Sequence, residues 1–159
     1  MMFVSGLWYP SAIHCGSNPP AGRWPGIEPG DDHSADPQKL RVMIVEDELF
    51  VAMHLESVLE EIGYEIAGIV STGERAVEQC PLLAPDIVLM DINLGKGIDG
   101  ITAAQQIQAA GHAQIIFVSA YGDLATQGRV ETALPGSPLL SKPVTPGGLK
   151  SAIQATRAH

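Results

Sequence analysis

The sequence predicts an α/β fold in which helices cover both faces of a doubly wound, parallel, five-stranded sheet. The alternation of two kinds of segment leads to this prediction. From Leu40 onward, short apolar segments of strand length alternate five times with segments whose apolar residues recur at helical spacing. Repeated β-α units of this kind connect by right-handed crossovers, which place the strands in one sheet and the helices on its two sides.

The first two units have the clearest patterns. Residues 42–45 are continuously apolar, as expected of a strand buried on both faces, and a predicted helix over 48–62 follows, which a glycine ends. Residues 65–70 form the second predicted strand. Thr72 then caps a helix that ends at about Leu83.

The last three units repeat the alternation. Their strands cover 87–90, 114–118 and a short segment that begins with Leu139 and Leu140, and their helices cover 99 or 100 to 110, 122–132 and a final segment from Pro146. Gly128 weakens the fourth helix, whereas Thr145 and the proline after it favour the start of the fifth. Strand order is not visible in the sequence. In a flavodoxin-like order, the first and third strands are neighbours and the fourth lies next to the third.

Residues 1–38 differ from the rest of the chain. They contain half of the chain's 12 prolines, five glycines and no periodicity of either kind. We therefore predict a disordered Pro/Gly-rich N-terminal extension over 1–38 and one folded domain over 39–159. Both tryptophans, Trp8 and Trp24, lie in the extension, which leaves open a segment that folds on a partner.

Composition excludes several classes of function. The formal net charge of −9 disfavours nonspecific binding to nucleic acid or to an anionic membrane. The cysteines, Cys15 and Cys80, have no metal-binding or redox spacing, and no apolar run approaches the roughly 20 residues of a membrane helix. We expect a cytoplasmic protein that contacts neither nucleic acid nor membranes directly.

Polar side chains follow four of the predicted strands at their ends. These residues are Glu46 and Asp47, Asp91, Ser119 and Lys142. The carboxyl ends of parallel strands meet at one edge of a sheet, where open α/β folds place their sites. Two carboxylates about 4 Å apart repel by roughly 4 kcal/mol at an effective dielectric near 20, so a cation is needed. Oxygen ligands without histidine or cysteine favour Mg²⁺.

Carboxylates, a hydroxyl and a lysine around Mg²⁺ suit phosphoryl transfer to a carboxylate. Asp91 is the candidate nucleophile, because we expect it to project alone at the sheet edge, before the flexible loop Gly95-Lys96-Gly97. Ser119 can donate a hydrogen bond to a phosphoryl oxygen, and Lys142 supplies a positive charge. Glu46 and Asp47 are consecutive, so one can bind the metal directly and the other through water.

This set of residues resembles the receiver domain of two-component response regulators, over about three quarters of the chain. The resemblance implies a role for each residue: Asp91 as phosphoacceptor and metal ligand, Asp47 as Mg²⁺ ligand, Glu46 as a ligand through water, Asn93 as a backbone carbonyl ligand, Ser119 as the residue that binds the phosphoryl group, and Lys142 as the contact of a phosphoryl oxygen.

The resemblance also implies a function. The domain would accept a phosphoryl group from a histidine kinase or phosphotransfer protein and then change its contacts with a downstream protein, through the face formed by the fourth helix, fifth strand and fifth helix. The domain would catalyse only its own phosphorylation and dephosphorylation. The resemblance also leaves open a homodimer that depends on phosphorylation. Only the length of one helix follows Lys142-Pro143, so we expect a single-domain regulator.

One position departs from the family pattern. Receivers usually carry tyrosine or phenylalanine three residues before the lysine, where its rotamer reports phosphorylation, and this chain has Leu139. Tyr121 is the nearest aromatic residue along the chain after Ser119. Our hypothesis is that Tyr121 turns inward when Ser119 engages the phosphoryl group; the alternative is a tyrosine that only shields the pocket.

Two other functions remain as alternatives. A phosphatase of the haloacid dehalogenase kind also phosphorylates an aspartate at a strand end, but it needs a second aspartate two residues later, where this chain has Asn93. A pseudo-receiver would act as a constitutive protein-interaction domain. The intact set of acidic residues, serine and lysine argues against it.

Overall fold

The computed structural model describes residues 39–157 except His112 and Tyr121. The strands are β1 (Arg41–Val45), β2 (Glu65–Val70), β3 (Ile87–Asp91), β4 (Gln114–Ser119) and β5 (Leu139–Ser141). The helices are α1 (Leu49–Glu61), α2 (Gly73–Leu83), α3 (Gly100–Ala109), α4 (Leu124–Ala133) and α5 (Pro146–Thr156). The strands are parallel and form one sheet in the order β2-β1-β3-β4-β5. The predicted α/β fold and flavodoxin-like strand order are confirmed.

Helices cover both faces of the sheet because successive strand residues point to opposite sides. In β1, Val42 and Ile44 belong to one apolar cluster, together with residues of α1 and α5. Met43 and Val45 belong to a second cluster on the other face, which includes residues of α2, α3 and α4. The continuous apolar run of β1 therefore contributes to two cores at once.

Helix and strand boundaries agree with the predictions to within two residues. α4 begins at Leu124 rather than at 122, because the Asp123 side chain caps it by accepting a hydrogen bond of 2.8 Å from the Thr126 amide. β3 and β4 each extend one residue further than predicted. Their last residues, Asp91 and Ser119, still pair with the neighbouring strands and are part of the sheet.

The predicted extension over 1–38, with Trp8, Trp24 and Cys15, lies outside the described residues. The domain boundary at residue 38 therefore stays a prediction. Cys80 is fully buried in α2 and contributes to the core. Within the described part of the chain, the helices are all too short or too polar to cross a membrane.

Candidate functional site

All five of the polar residues singled out at strand ends lie at one edge of the sheet. Glu46 and Asp47 directly follow β1, Asp91 ends β3, Ser119 ends β4, and Lys142 directly follows β5. These four strands are neighbours in the sheet.

Lys142 joins two of the carboxylates. Its Nζ lies 2.7 Å from Glu46 Oε2 and donates a hydrogen bond of 3.1 Å to Asp91 Oδ2. Glu46 is 2% exposed and Asp91 is 4% exposed. The sequence predicts that Asp91 projects alone at the sheet edge, but in the structure its side chain is buried and Lys142, which follows β5, reaches across to it.

Burial and charge act in opposite directions on this group. Burial lowers the pKa of the Lys142 amine, but the contacts with Glu46 and Asp91 outweigh burial and hold that pKa above its usual value. Burial raises the pKa of Glu46, which the hydrogen-bonding and charge of Lys142 only partly offset. Lys142 is therefore protonated at neutral pH and supplies the positive charge of the site.

The acidic residues fit a divalent cation. One carboxylate oxygen from each of Glu46, Asp47 and Asp91 lies within 4.8 Å of the others. Glu46 Oε2 is buried and lies 2.7 Å from the Lys142 ammonium, with which it forms an ion pair. A cluster of carboxylate oxygens such as this one suits a hard ion such as Mg²⁺.

The loop between β3 and α3 is tied to the same carboxylates. The Asn93 amide donates a hydrogen bond of 3.2 Å to Asp91 Oδ1, and the Gly95 amide donates one of 3.1 Å to Asp47 Oδ2. The glycines of this segment predict a flexible loop. The bond from Gly95 to Asp47 joins residues far apart in sequence, so no local pattern could have indicated it.

The loop ends against the backbone of the phosphoacceptor candidate. A Cβ atom at Gly100, the first residue of α3, would overlap the Asp91 carbonyl oxygen and lie 3.0 Å from Ile92 Cα. The Gly100 amide in turn donates to the Ile92 carbonyl at 3.1 Å. α3 can approach the end of β3 this closely only with glycine at its first position.

Ser119 is fully buried at the end of β4. Its backbone carbonyl accepts a hydrogen bond of 2.9 Å from the Lys142 amide, and in the parallel ladder it pairs with Ser141. The backbone of β4 thus fixes the position from which the Lys142 side chain extends. Ser119 and Lys142 are held at adjacent points of the sheet edge.

A small cavity of about 280 Å³ opens beside the acidic cluster. Its lining includes Asp47, Gly95 and Lys96 and two residues that were not among the predicted site residues, Ser71 and Thr72. These two follow β2 at the same edge of the sheet. Applying the strand-end rule to β2, as it was applied to the other strands, could have found them.

Leu139 begins β5 at the position where the family pattern has an aromatic residue. It is partly buried against the core on the α4 side. With Leu124, Gly128, Val130 and other residues it lines a cavity of about 450 Å³. The leucine leaves open space under α4. Tyr121, the proposed substitute, lies outside the described residues, so its role stays a hypothesis.

Comparisons with known proteins show the family to which the chain belongs. The family model for the response regulator receiver domain matches residues 42–154. The transcriptional regulatory protein PdtaR of Mycobacterium tuberculosis is 38% identical over 116 residues, which cover 72% of this chain and 55% of PdtaR. The chain thus spans about half the length of that relative.

Two further comparisons concern shorter proteins. The chemotaxis protein CheY of Thermotoga maritima is 42% identical over 87 residues, which cover 54% of this chain and 71% of CheY. The crystal structure of the signal receiver domain of a modulated diguanylate cyclase from Desulfovibrio desulfuricans G20 is 36% identical, with a TM-score of 0.68, and the match covers 75% of this chain and 94% of that one. The chain belongs to the response regulator receiver domain family.

Proposed function

We propose that this receiver domain is a phosphorylation-controlled signalling module that accepts a phosphoryl group on Asp91 from a histidine kinase or a phosphotransfer protein. The observation that carries the proposal is the contact of Lys142 with both Glu46 and Asp91, next to the oxygen of Asp47. Positive charge lies where a transferred phosphoryl group would bring negative charge.

In the proposed reaction, one Asp91 carboxylate oxygen attacks the phosphorus of a phosphohistidine. The new oxygen–phosphorus bond forms as the phosphorus–nitrogen bond breaks, and the imidazole leaves with the electron pair. Lys142 is in place to contact a phosphoryl oxygen, and Ser119, at the end of the adjacent strand, is our candidate for a second contact. The result is an aspartyl phosphate, and the domain is no enzyme toward other substrates.

Mg²⁺ is the proposed cofactor, held by Asp47, Asp91 and the Asn93 backbone carbonyl, with Glu46 acting through water. When bound, the ion would neutralise the charge of the phosphoryl oxygens. The clustered oxygens of the three acidic residues support this assignment. Asn93 is placed by the hydrogen bond from its amide to Asp91.

The start of α1 is the surface we assign to the phosphodonor protein. Leu49, Phe50 and Met53 are 69%, 84% and 53% exposed at the start of α1, which begins two residues after Asp47. Exposed apolar side chains in such a cluster mark protein interfaces more often than isolated ones do. A donor histidine must come within bonding distance of Asp91, so its protein has to cover the rim of the site.

The output surface is proposed to be the face of α4, β5 and α5, and phosphorylation would change its contacts with a downstream protein or with a second copy of the chain. α4 supports this assignment because Val130 is its only fully buried residue among those described. A weakly packed helix can shift with little loss of core contacts. The cavity beside Leu139 gives it room to move.

Intact-mass spectrometry after incubation with acetyl phosphate and Mg²⁺ tests the proposal. We expect a phosphoryl adduct on the wild-type protein, no adduct on Asp91→Asn, and an undiminished adduct on Asp123→Asn, because asparagine retains the helix cap at 123. An unmodified wild type, or an adduct that survives Asp91→Asn, would contradict phosphoryl transfer to Asp91. An unmodified wild type would favour the pseudo-receiver alternative, a constitutive interaction domain.

A further inference from the structure

The loop between β3 and α3, residues 92–99, is held by a carboxylate outside the acidic cluster. Glu74 lies in the first turn of α2, and its Oε1 accepts a hydrogen bond of 2.7 Å from the Ile98 amide. Near the start of the same loop, Gly95 donates to Asp47 and Asn93 donates to Asp91. Asp47, Asp91 and Glu74 thus each accept a hydrogen bond from this loop, and Glu74 does not belong to the acidic cluster.

The packing around Glu74 leaves no space for extra atoms. Gly97 has φ +80°, and a Cβ at this position would collide with the Glu74 carboxylate. On the other side, a Cβ at Gly73 would lie 2.7 Å from Ile98 Cγ1 and 2.8 Å from its carbonyl oxygen. Both close approaches require glycine, and the positive φ at residue 97 also favours it. The two glycines bring loop and helix into hydrogen-bonding contact.

Glu74 keeps its charge in this arrangement. Backbone amides donate to its carboxylate, first its own and then that of Ile98, and hold the pKa of Glu74 below its usual value. A negative charge in the first turn of a helix is also favourable. The acceptor for the Ile98 amide is therefore an ionised carboxylate, which forms stronger hydrogen bonds than a neutral acceptor.

The other two attachments compete with the proposed metal. Asp47 and Asp91 use carboxylate oxygens to hold Gly95 and Asn93, and the same two residues supply oxygens to the acidic cluster. A cation that draws those oxygens toward itself weakens their hydrogen bonds to the loop. The Glu74 contact is independent of the cluster, so it persists when the cation binds.

We propose that Glu74 is a positioning residue for phosphoryl transfer, whose hydrogen bond to the Ile98 amide holds the loop 92–99, and with it Asn93, in place while the metal engages Asp47 and Asp91. This inference rests on the proposed function of the Asp91 site. Glu74 touches neither the cluster nor the reacting atoms. It acts through the loop, at the end opposite to Asn93.

Two measurements on the unphosphorylated, full-length chain test the inference. The first is the hydrogen-exchange rate of the Ile98 amide by NMR, and the second is Mg²⁺ affinity by calorimetry. For Glu74→Ala we expect exchange at Ile98 to accelerate about tenfold and Mg²⁺ affinity to fall about fivefold, the effect of losing one hydrogen bond. Glu74→Gln keeps an acceptor oxygen and should restore most of both values.

Glu78→Ala is the matched control, because Glu78 lies one turn later on the same helix. It should leave both measurements unchanged. Glu74→Ala values equal to those of Glu78→Ala would overturn the inference, and so would Glu74→Gln values as poor as those of Glu74→Ala, since the charge rather than the hydrogen bond would then matter. Failure of the Asp91 proposal is a separate result, because it shows as a missing phosphoryl adduct on the wild type.

Discussion

Lys142 is the residue through which the charges of the site are balanced. It contacts two buried carboxylates, and the third acidic residue lies beside them. In the described structure, the ammonium group of Lys142 is the positive charge nearest to Glu46 and Asp91. Its removal leaves Glu46 and Asp91 buried and mutually repulsive.

We therefore predict that Lys142→Met lowers the free energy of unfolding by about 1–3 kcal/mol at neutral pH. Urea denaturation followed by circular dichroism measures this loss. Added Mg²⁺ should recover part of it, because a cation that binds only the folded state stabilises that state. The control is Lys150→Met, at an exposed position of α5. Equal losses for the two variants would show that the ion pairs contribute no net stability.

Residue type and position along a strand were sufficient to predict which residues gather at this edge. The strand-end rule needs only the chain pattern, so Glu46, Asp47, Asp91, Ser119 and Lys142 could be named from the sequence. The Glu74 contact with Ile98 could not be predicted, since it joins a helix to a loop 24 residues away. The burial of Asp91 depends on where α3 and Lys142 pack, which is also a property of the folded chain.

At the scale of elements, four of the five helices begin with a side-chain cap, and the caps of α2, α3 and α5 lie at positions predicted from the sequence. Thr72, Asp99 and Thr145 accept hydrogen bonds from the amides of Arg75, Thr102 and Gly148. Such caps are local sequence features, so these helix starts could be predicted closely.

Burial alone would raise the pKa of Asp99, but the hydrogen bonds from Thr102 and the charge of Arg129 outweigh it and lower that pKa.

A pH dependence follows for the cap of α3. A carboxylate whose pKa is lowered by folding stabilises the folded state above its unfolded pKa, and this stability is lost as pH falls through the lower, folded pKa. Above roughly pH 5, we expect the free energy of unfolding of the wild type to exceed that of Asp99→Asn by about 0.5 kcal/mol. The side chain is 44% exposed, so solvent screening keeps the difference small.

Urea titrations of both proteins between about pH 7 and pH 3 measure this difference. It should shrink as the pH falls below about 4, because Asp99 then takes up a proton, whereas the amide side chain of the variant does not titrate. Glu60→Gln, an exposed substitution on α1, controls for general charge effects. A difference that grows toward acid pH would contradict the cap as its cause.

At the scale of the whole molecule, two surfaces flank the proposed phosphoacceptor site and differ in character. The start of α1 presents exposed apolar side chains on a helix that is otherwise well packed. The opposite side of the sheet carries α4, with one fully buried residue and open space beside Leu139. A rigid surface suits recognition of a donor protein, and a loosely packed one suits a change of conformation.

If the start of α1 recognises the donor protein, Phe50→Ala should slow phosphorylation by a kinase but not phosphorylation by acetyl phosphate. Its side chain is 84% exposed, so the change should not disturb the core. We expect phosphotransfer from a donor kinase to slow about tenfold or more, as for loss of an interface aromatic residue, and the rate with acetyl phosphate to stay unchanged. Phosphotransfer profiling against purified histidine kinases measures the first rate and intact-mass spectrometry the second.

Leu82→Ala is the matched control for Phe50→Ala, because Leu82 is 74% exposed on α2 and is not part of the α1 surface. It should leave both rates unchanged. If Phe50→Ala slowed the acetyl phosphate reaction to the same extent as the kinase reaction, the residue would act on the site itself and not on donor recognition.

The close approach of Gly100 to the backbone of Asp91 makes residue 100 sensitive to substitution. Any larger residue at 100 would push α3 away from the end of β3, so we expect it to weaken phosphorylation at the proposed acceptor Asp91. In a saturation library selected for signalling, we expect glycine to be enriched at 100 and aspartate at 91. The two preferences would have different origins. Glycine at 100 is needed because it has no side chain, whereas aspartate at 91 is needed for its proposed chemistry.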